Sequence, residues 1–209
     1  MKQPGILISV PCMGMVHAEF AHCLSMATAN MVAQGIRTNC SFYSGSIITS
    51  SRRNLVETFL KSDLDYMLWI DSDIKFPIDT PVRLLKRNKK IVGCNYRKRR
   101  FPNPSFTAMK KVEGKYVEFK TEAKSPGLEV VDILPHGMVL IEREVYEKVS
   151  KPYYLLDYDQ DTKTELGEDV YFFEKAKNAG FEIWCDQDLS REISHIGTFY
   201  FNYNLSQQC

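Results

Sequence analysis

Residues 5–10 (Gly-Ile-Leu-Ile-Ser-Val) form an apolar run that predicts a first strand ending at Pro11. The period then changes. Val16, Phe20, Cys23, Leu24, Ala27 and Met31 recur at helical spacing, which predicts a helix over 16–34, and Gly35 stands where a helix C-cap belongs. Residues 37–43 predict a second strand. Ser50-Ser51 reads as the cap of a helix through Leu60, with Leu55, Val56, Phe59 and Leu60 on its buried side. Tyr66-Met-Leu-Trp-Ile70 is almost wholly apolar, as expected of a central strand covered on both faces. Thr80-Pro81 starts a short helix, because proline suits the first helical position, and 90–94 predicts another strand.

This alternation over residues 5–94 predicts a parallel, doubly wound nucleotide-binding sheet. The pattern changes afterwards. Segments 105–110 and 115–120 flank Glu113-Gly114 and predict a hairpin, followed by strands at 128–134 and 138–141. Helices are expected at 142–149 and 168–179, the second ending at Gly180, and a late strand at 181–185. Repeats, low-complexity tracts and long linkers are absent from the sequence. The expectation is a single α/β domain over 1–209: a Rossmann-like nucleotide half (1–100) with a mostly parallel sheet, and a mixed-sheet half (101–209).

Composition narrows the function classes. Hydrophobic residues make up 44% and charged residues 25%, an ordinary globular balance that argues against disorder. Lys+Arg 27 against Asp+Glu 26 leaves a net charge of +1, so no global field draws the chain onto nucleic acid or anionic lipid. Apolar runs fall far short of the roughly 20 residues that span a bilayer. The start of the chain has no signal-peptide pattern, which points to a cytoplasmic protein. Cys12, Cys23, Cys40, Cys94, Cys185 and Cys209 are scattered without a C-x-x-C pair, as reduced thiols filling apolar space would be.

The sharpest chemical feature is Asp71-Ser72-Asp73 directly after the apolar strand 66–70. In extended backbone, residues two apart point to the same side, so both carboxylates can converge where open α/β sheets bind ligands. Two hard oxygen ligands there suit Mg²⁺ or Mn²⁺ shared with substrate phosphates; a solvated turn is the plain alternative. An EF-hand is disfavoured by Lys75 and Phe76, and a haloacid-dehalogenase phosphatase by the two β-α units that precede the motif.

The strand with Asp71-Ser-Asp73, preceded by Thr49-Ser-Ser-Arg-Arg-Asn-Leu55, resembles the nucleotide-sugar half of GT-A-fold glycosyltransferases. More narrowly it is similar to small soluble transferase domains encoded by large DNA viruses and phages. The resemblance extends through Val92-Gly-Cys-Asn-Tyr96, His136-Gly-Met-Val-Leu-Ile141, Gly167-Glu-Asp169 and Ser194-His-Ile-Gly197. Each motif is short, and their order supplies the specificity.

The resemblance implies a cation on Asp73 and Asp71, with His195 as a further ligand that would favour Mn²⁺ over Mg²⁺. Asp71 would also touch the ribose, beside Ser72. It implies a general base at Asp169, with Glu168 as substitute or acceptor-orienting group. Carboxylates in a first helical turn are favoured by the macrodipole whatever the function. Arg52 and Arg53 would meet diphosphate or nucleobase, Arg53 being favoured, although a solvated first helical turn explains the pair equally; Pro11 would lie by base and ribose. Tyr96 would border the nucleotide sugar, and His136-Gly137 would let backbone approach the sugar, although a tight turn explains that pair nearly as well.

Charge is unevenly spread along the chain. Residues 83–100 hold nine basic side chains and no acidic one; residues 157–169 hold six carboxylates opposed only by Lys163, beside Tyr153, Tyr154 and Tyr158. The basic run is a solvated face or a contact for donor phosphates or an anionic acceptor. The acidic stretch is a solvated loop or a mobile acceptor loop.

The expected activity is transfer of a hexose or deoxyhexose, such as glucose or rhamnose, from a nucleoside-diphosphate donor, UDP-sugar by resemblance, to a hydroxyl of an oligosaccharide or glycoprotein, with inversion. The alternatives are a sugar-phosphate nucleotidyltransferase, whose early Gly-rich loop Pro11-Cys-Met-Gly14 does not match, and a non-catalytic nucleotide-sugar or glycan-binding module. The ending at residues 204–209 has no clear terminal element, which leaves room for further domains of the same polypeptide.

Overall fold

A computed structural model describes residues 3–100, 102–160 and 163–197. Its first stretch runs β1 (Gly5–Cys12), α1 (Ala18–Ala33), β2 (Arg37–Ser44), α2 (Ile48–Lys61), β3 (Tyr66–Ile70), β4 (Ile74–Lys75), α3 (Thr80–Lys86) and β5 (Ile91–Gly93). There follow β6 (Met109–Val112), β7 (Lys115–Glu118), β8 (Leu128–Val131), β9 (Met138–Glu142), α4 (Arg143–Lys148), β10 (Asp157–Asp159) and β11 (Thr164–Leu166). Helix α5 (Glu168–Asn178), β12 (Ile183–Asp186), α6 (Gln187–Ser190) and β13 (Ser194–His195) complete the described chain.

The long apolar runs become strands of one seven-stranded sheet, ordered β2-β1-β3-β9-β5-β12-β8. β1 pairs in parallel with both β2 and β3, as the alternating pattern predicts. The expected parallel neighbour of β3 is not β5, however. β9 inserts between them and runs antiparallel to both. Its residues Met138–Ile141 are as deeply buried as those of β3, so it is a central strand too. Apolar character along a strand reports coverage of both faces, and it carries no information about neighbour or direction. β12 is parallel to β5, and β8 closes the edge antiparallel to β12. The result is a mixed α/β domain whose sheet is mostly parallel in strand direction. Segments before and after residue 100 share that sheet.

Both sheet faces are covered, which explains why β3 shows no polar alternation. Met67 and Trp69 pack with Leu55, Val56 and Phe59 of α2 and with Phe172 and Phe173 of α5. Leu68 and Ile70 point to the other face, among Phe20, Ala27 and Met31 of α1. At about 1.5–3 kcal/mol for each fully buried large apolar side chain, these two layers supply most of the favourable burial.

The ends of α1 and α2 contrast. Gly35 takes a φ of 75°, its N–H bonds the Val32 carbonyl at 3.0 Å and the Ile36 N–H reaches Met31 at 3.0 Å, which is a Schellman closure of α1. α2 starts at Ile48, upstream of the serines expected to cap it, and the Ser51 hydroxyl donates back to the Ile47 carbonyl at 3.2 Å. The β6–β7 hairpin turns through Glu113 and Gly114, at φ 49° and 81°, as a left-handed two-residue turn requires.

The acidic stretch is not a bare loop, because Asp157–Asp159 and Thr164–Leu166 pair as an antiparallel hairpin. Asp161, Cys209 and the ending 204–209 lie outside the described residues. Among the described cysteines all are free; Cys23, Cys94 and Cys185 are buried fillers, whereas Cys40 is exposed. No helix among the described residues is long and apolar enough to cross a membrane.

Candidate functional site

At the end of β3 the backbone leaves extended geometry, and Asp71-Ser72-Asp73 form a turn into β4. The turn is held by the Asp71 N–H on the Gly137 carbonyl at 3.2 Å and the Ile74 N–H on the Asp71 carbonyl at 3.1 Å. The two carboxylates therefore do not share a strand face by alternation, yet both line one cleft of about 450 Å³. β4 then pairs with β13, placing His195 opposite Ile74. The Ile196 N–H donates to the Asp73 carbonyl at 2.7 Å and locks that return.

His195 Nε2 lies 3.4 Å from Asp73 Oδ2, and its Nδ1 lies 3.2 Å from the Arg97 carbonyl. The Arg99 guanidinium also reaches Asp73 Oδ2, at 3.0 Å. Burial opposes ionisation of Asp73, but His195 and Arg99 outweigh it and hold the carboxyl below its ordinary range. Asp71 moves the other way. Its burial and the neighbouring carboxylates of Asp169 and Asp73 raise it, against the pull of Arg52.

Arg52 is the hub of the cleft. Its side chain is only 3% exposed, with Nε 3.1 Å from Glu168 Oε1 and Nη2 at 3.4 Å from Asp71 Oδ1 and 3.8 Å from Asp169 Oδ1. Burial would strip its proton, but the three carboxylates more than compensate and push its pKa upward. The guanidinium carbon sits 5.2 Å from the Trp69 ring centroid, and Nη1 is buried without a hydrogen-bond partner.

Glu168 and Asp169 occupy the first turn of α5, behind Gly167 at the N-cap. Asp169 Oδ1 lies 2.6 Å from His136 Nδ1, while the His136 backbone N–H reaches Oδ2 at 3.4 Å. The ring N–H is poorly aligned with that carboxylate oxygen, so neither atom has a straight hydrogen bond despite the short separation. Burial opposes ionisation of Asp169, and His136 with Arg52 prevails, keeping the carboxyl below its usual value.

A second cleft, of about 770 Å³, opens on the far side of Asp169 and His195, which line both. Its walls carry Tyr96, Tyr116 and Tyr158, Lys98, Lys111 and Lys115, and carboxylates from β10–β11 and α5.

The structure thus brings Pro11, Arg52, Asp71, Ser72, Asp73, Glu168, Asp169 and His195 around one cleft. Four expected residues sit elsewhere. Tyr96 is buried and borders the larger cleft instead. Arg53 is exposed on α2, bonding the Thr49 carbonyl of its own helix, so the buried guanidinium is its neighbour's. The His136 side chain is fully buried. Gly137 lies under the Tyr96 ring, where a Cβ would clash with the Tyr96 hydroxyl and approach Asp71 Oδ2 to 3.1 Å.

Part of the basic run 83–100 is paired locally, Arg83 with Asp79 and Glu192. Arg87 is paired with Asp186 and Asp188, and Lys90 with Glu142 and Glu144. Arg99, which the sequence did not single out, reaches the cleft. The period could have chosen Arg52 over Arg53, since Arg52 precedes Leu55, Val56 and Phe59 by three, four and seven residues and so shares their buried face.

Among the described residues, no three His, Cys, Asp or Glu groups converge closely enough to hold a metal ion. The lining offers two carboxylates and an imidazole as donors, although Arg99 contacts the Asp73 oxygen that faces His195. The Arg97 carbonyl accepts a hydrogen bond from the His195 Nδ1–H, which leaves Nε2 facing Asp73, the arrangement of a ligating imidazole.

No protein-family model matches the chain, and no curated protein matches it. Its fold is similar to the crystal structure of A197 from STIV, with a TM-score of 0.58 and 16% sequence identity over 96% of this chain and 97% of that one. At that identity the likeness speaks for the fold alone.

Proposed function

We propose that the chain is a glycosyltransferase that moves a sugar from a nucleoside-diphosphate donor, a UDP-sugar by sequence resemblance, to a hydroxyl of a glycan acceptor with inversion. The observation that carries this reading is the shared wall. Asp169 and His195 border a polar cleft containing the Asp71–Asp73 pair and also a larger, tyrosine-lined cleft. A displacement reaction needs this layout, with donor and acceptor meeting at a base that both sites share.

Asp169, ionised beside His136 and Arg52, accepts the proton of the acceptor hydroxyl as the new glycosidic bond forms and the diphosphate departs. Glu168 is held by Arg52 and orients the acceptor. Arg52 offsets the mutual repulsion of these carboxylates, so that Asp169 stays charged beside Asp71. Pro11 and Ser72 border the nucleotide. The tyrosine faces of the larger cleft suit sugar rings. Asp71, Asp73 and His195 would hold a Mn²⁺ or Mg²⁺, which neutralises charge on the departing diphosphate when bound.

Titration calorimetry with UDP and Mn²⁺ tests the reading. Expected is UDP binding that requires the metal and is abolished by Asp73→Ala. Metal-independent binding, or none to any nucleotide, sinks it. A screen of nucleotide sugars for slow donor hydrolysis then reports nucleotide and sugar together. Asp169→Asn should collapse turnover while UDP affinity stays near normal.

A further inference from the structure

Asp169 is tied to the interior by a file of buried polar side chains. Trp69 Nε1 donates to Tyr146 Oη at 2.7 Å, Tyr146 Oη lies 3.3 Å from Tyr154 Oη, and Tyr154 Oη lies 3.0 Å from His136 Nε2. His136 Nδ1 is 2.6 Å from Asp169 Oδ1. Trp69, Tyr146, Tyr154 and His136 are each no more than 1% exposed, so water does not complete these bonds. The file also closes on itself, because Arg52 lies over the Trp69 ring and faces Asp169 Oδ1 at its other end.

One proton assignment satisfies the indole N–H and both tyrosine hydroxyls. An indole N–H can only donate, so Tyr146 Oη accepts from Trp69 and its own proton must go on to Tyr154 Oη. Tyr154 then donates to His136 Nε2. That nitrogen carries a lone pair, and the imidazole proton sits on Nδ1, pointing towards Asp169. Reversing the file leaves the Tyr146 proton buried without an acceptor and sets the Nδ1 lone pair against a carboxylate. The charged groups facing His136 are Asp169 on α5 and, further off, Asp71 after β3 and Arg52 on α2; Tyr154 is the titratable group on its other side.

We infer that His136, locked as its Nδ1–H tautomer by the Tyr154 hydroxyl, is a positioning residue that restrains Asp169 Oδ1 and leaves Oδ2 as the oxygen that takes the acceptor's proton. This rests on the transferase reading of Asp169. His136 is not itself the proton acceptor, since its Nε2 is occupied and buried. The backbone contact to Oδ2 is long, at 3.4 Å, which leaves that oxygen available. Apo geometry of this kind commonly tightens once substrates bind.

The test combines a structural readout with a kinetic one. Long-range ¹⁵N–¹H spectra of the histidine-labelled protein, with His136→Asn used for assignment, should show His136 neutral and protonated at Nδ1. An Nε2–H tautomer, or an imidazolium at neutral pH, overturns the proposal. Tyr154→Phe keeps the ring and removes only the hydroxyl. It should lower kcat about tenfold or more, a part of the 10²–10⁴ that positioned proton transfer contributes, while KM for the donor and UDP affinity change less than about twofold. His136→Asn, which can offer an N–H near the Nδ1 position, should retain more kcat than His136→Ala.

A Tyr154→Phe protein that folds and turns over normally overturns the proposal, as does equal loss in the two His136 variants. Should the native protein bind no nucleotide and turn over no nucleotide sugar, an Nδ1–H tautomer would still establish the locked file while removing the base role from Asp169. The two failures are thereby distinguished.

Discussion

The smaller cleft is floored by the ends of β1 and β3, and its charges are gathered on Arg52, a guanidinium that is 3% exposed and faces three carboxylates. The larger cleft is walled by the β6–β7 and β10–β11 hairpins, and its ion pairs are solvent-facing; Lys111 and Glu174, 3.3 Å apart, are 43% and 38% exposed. Both regions are rich in charge, but burial separates them. Charges in the first are held by the fold and in turn hold one another. Charges in the second are screened, so that region can change partners at little cost to stability.

The contrast is sharpest at the ion pairs. Arg52→Met leaves Asp71, Glu168 and Asp169 together without their cation and should cost about 3–5 kcal/mol in urea unfolding. Lys111→Met, in the other cleft, should cost less than about 1 kcal/mol. Equal losses would erase the distinction.

The glycines give a smaller version of the same comparison. Gly137→Ala drives a methyl into the Tyr96 hydroxyl and should destabilise by about 1–3 kcal/mol, with part of the loss recovered in a Tyr96→Phe background. Gly114→Ala meets no atom within 4 Å and pays only for its left-handed φ of 81°, so about 1 kcal/mol is expected and Tyr96→Phe should not change it.

The smallest effect is a pH dependence on the hairpin side. Asp132 bonds the Lys111 N–H at 2.6 Å and pairs with Lys177 of α5; burial opposes its ionisation, but these partners outweigh burial and lower its pKa. A depressed folded-state pKa means stability that is present above the unfolded value of about 4 and lost as pH falls through the folded one. Native protein should therefore exceed Asp132→Asn in thermal midpoint at neutral pH, with the gap closing in acid. A gap that widens on acidification would contradict this assignment.

Much of this was legible along the chain. β3 falls at Tyr66–Ile70 as its unbroken apolar run predicts, the Glu113-Gly114 turn takes the left-handed conformation its residues favour, and Asp71, Asp73, Glu168, Asp169 and His195 gather at one cleft. Other features left weaker traces. β4 and β13 are two-residue strands, too short for any period, yet their pairing is what delivers His195 to Asp73. The hairpin within 157–166 is masked by its acidic composition, which reads as a loop.

Burial is written into the sequence by itself, because an apolar stripe at a fixed period has one economical use, the covering of a helix or strand face. The long strands and helices, the doubly covered β3 and the shared face of Arg52 with Leu55, Val56 and Phe59 all follow from that rule. Partnership was decided only by the tertiary structure. The insertion of β9 between β3 and β5, the meeting of Arg52 with Glu168 and the burial of His136 between Tyr154 and Asp169 join residues far apart along the chain. Such contacts have no period to betray them; they exist because a buried charge or N–H must find a partner wherever the fold has brought one.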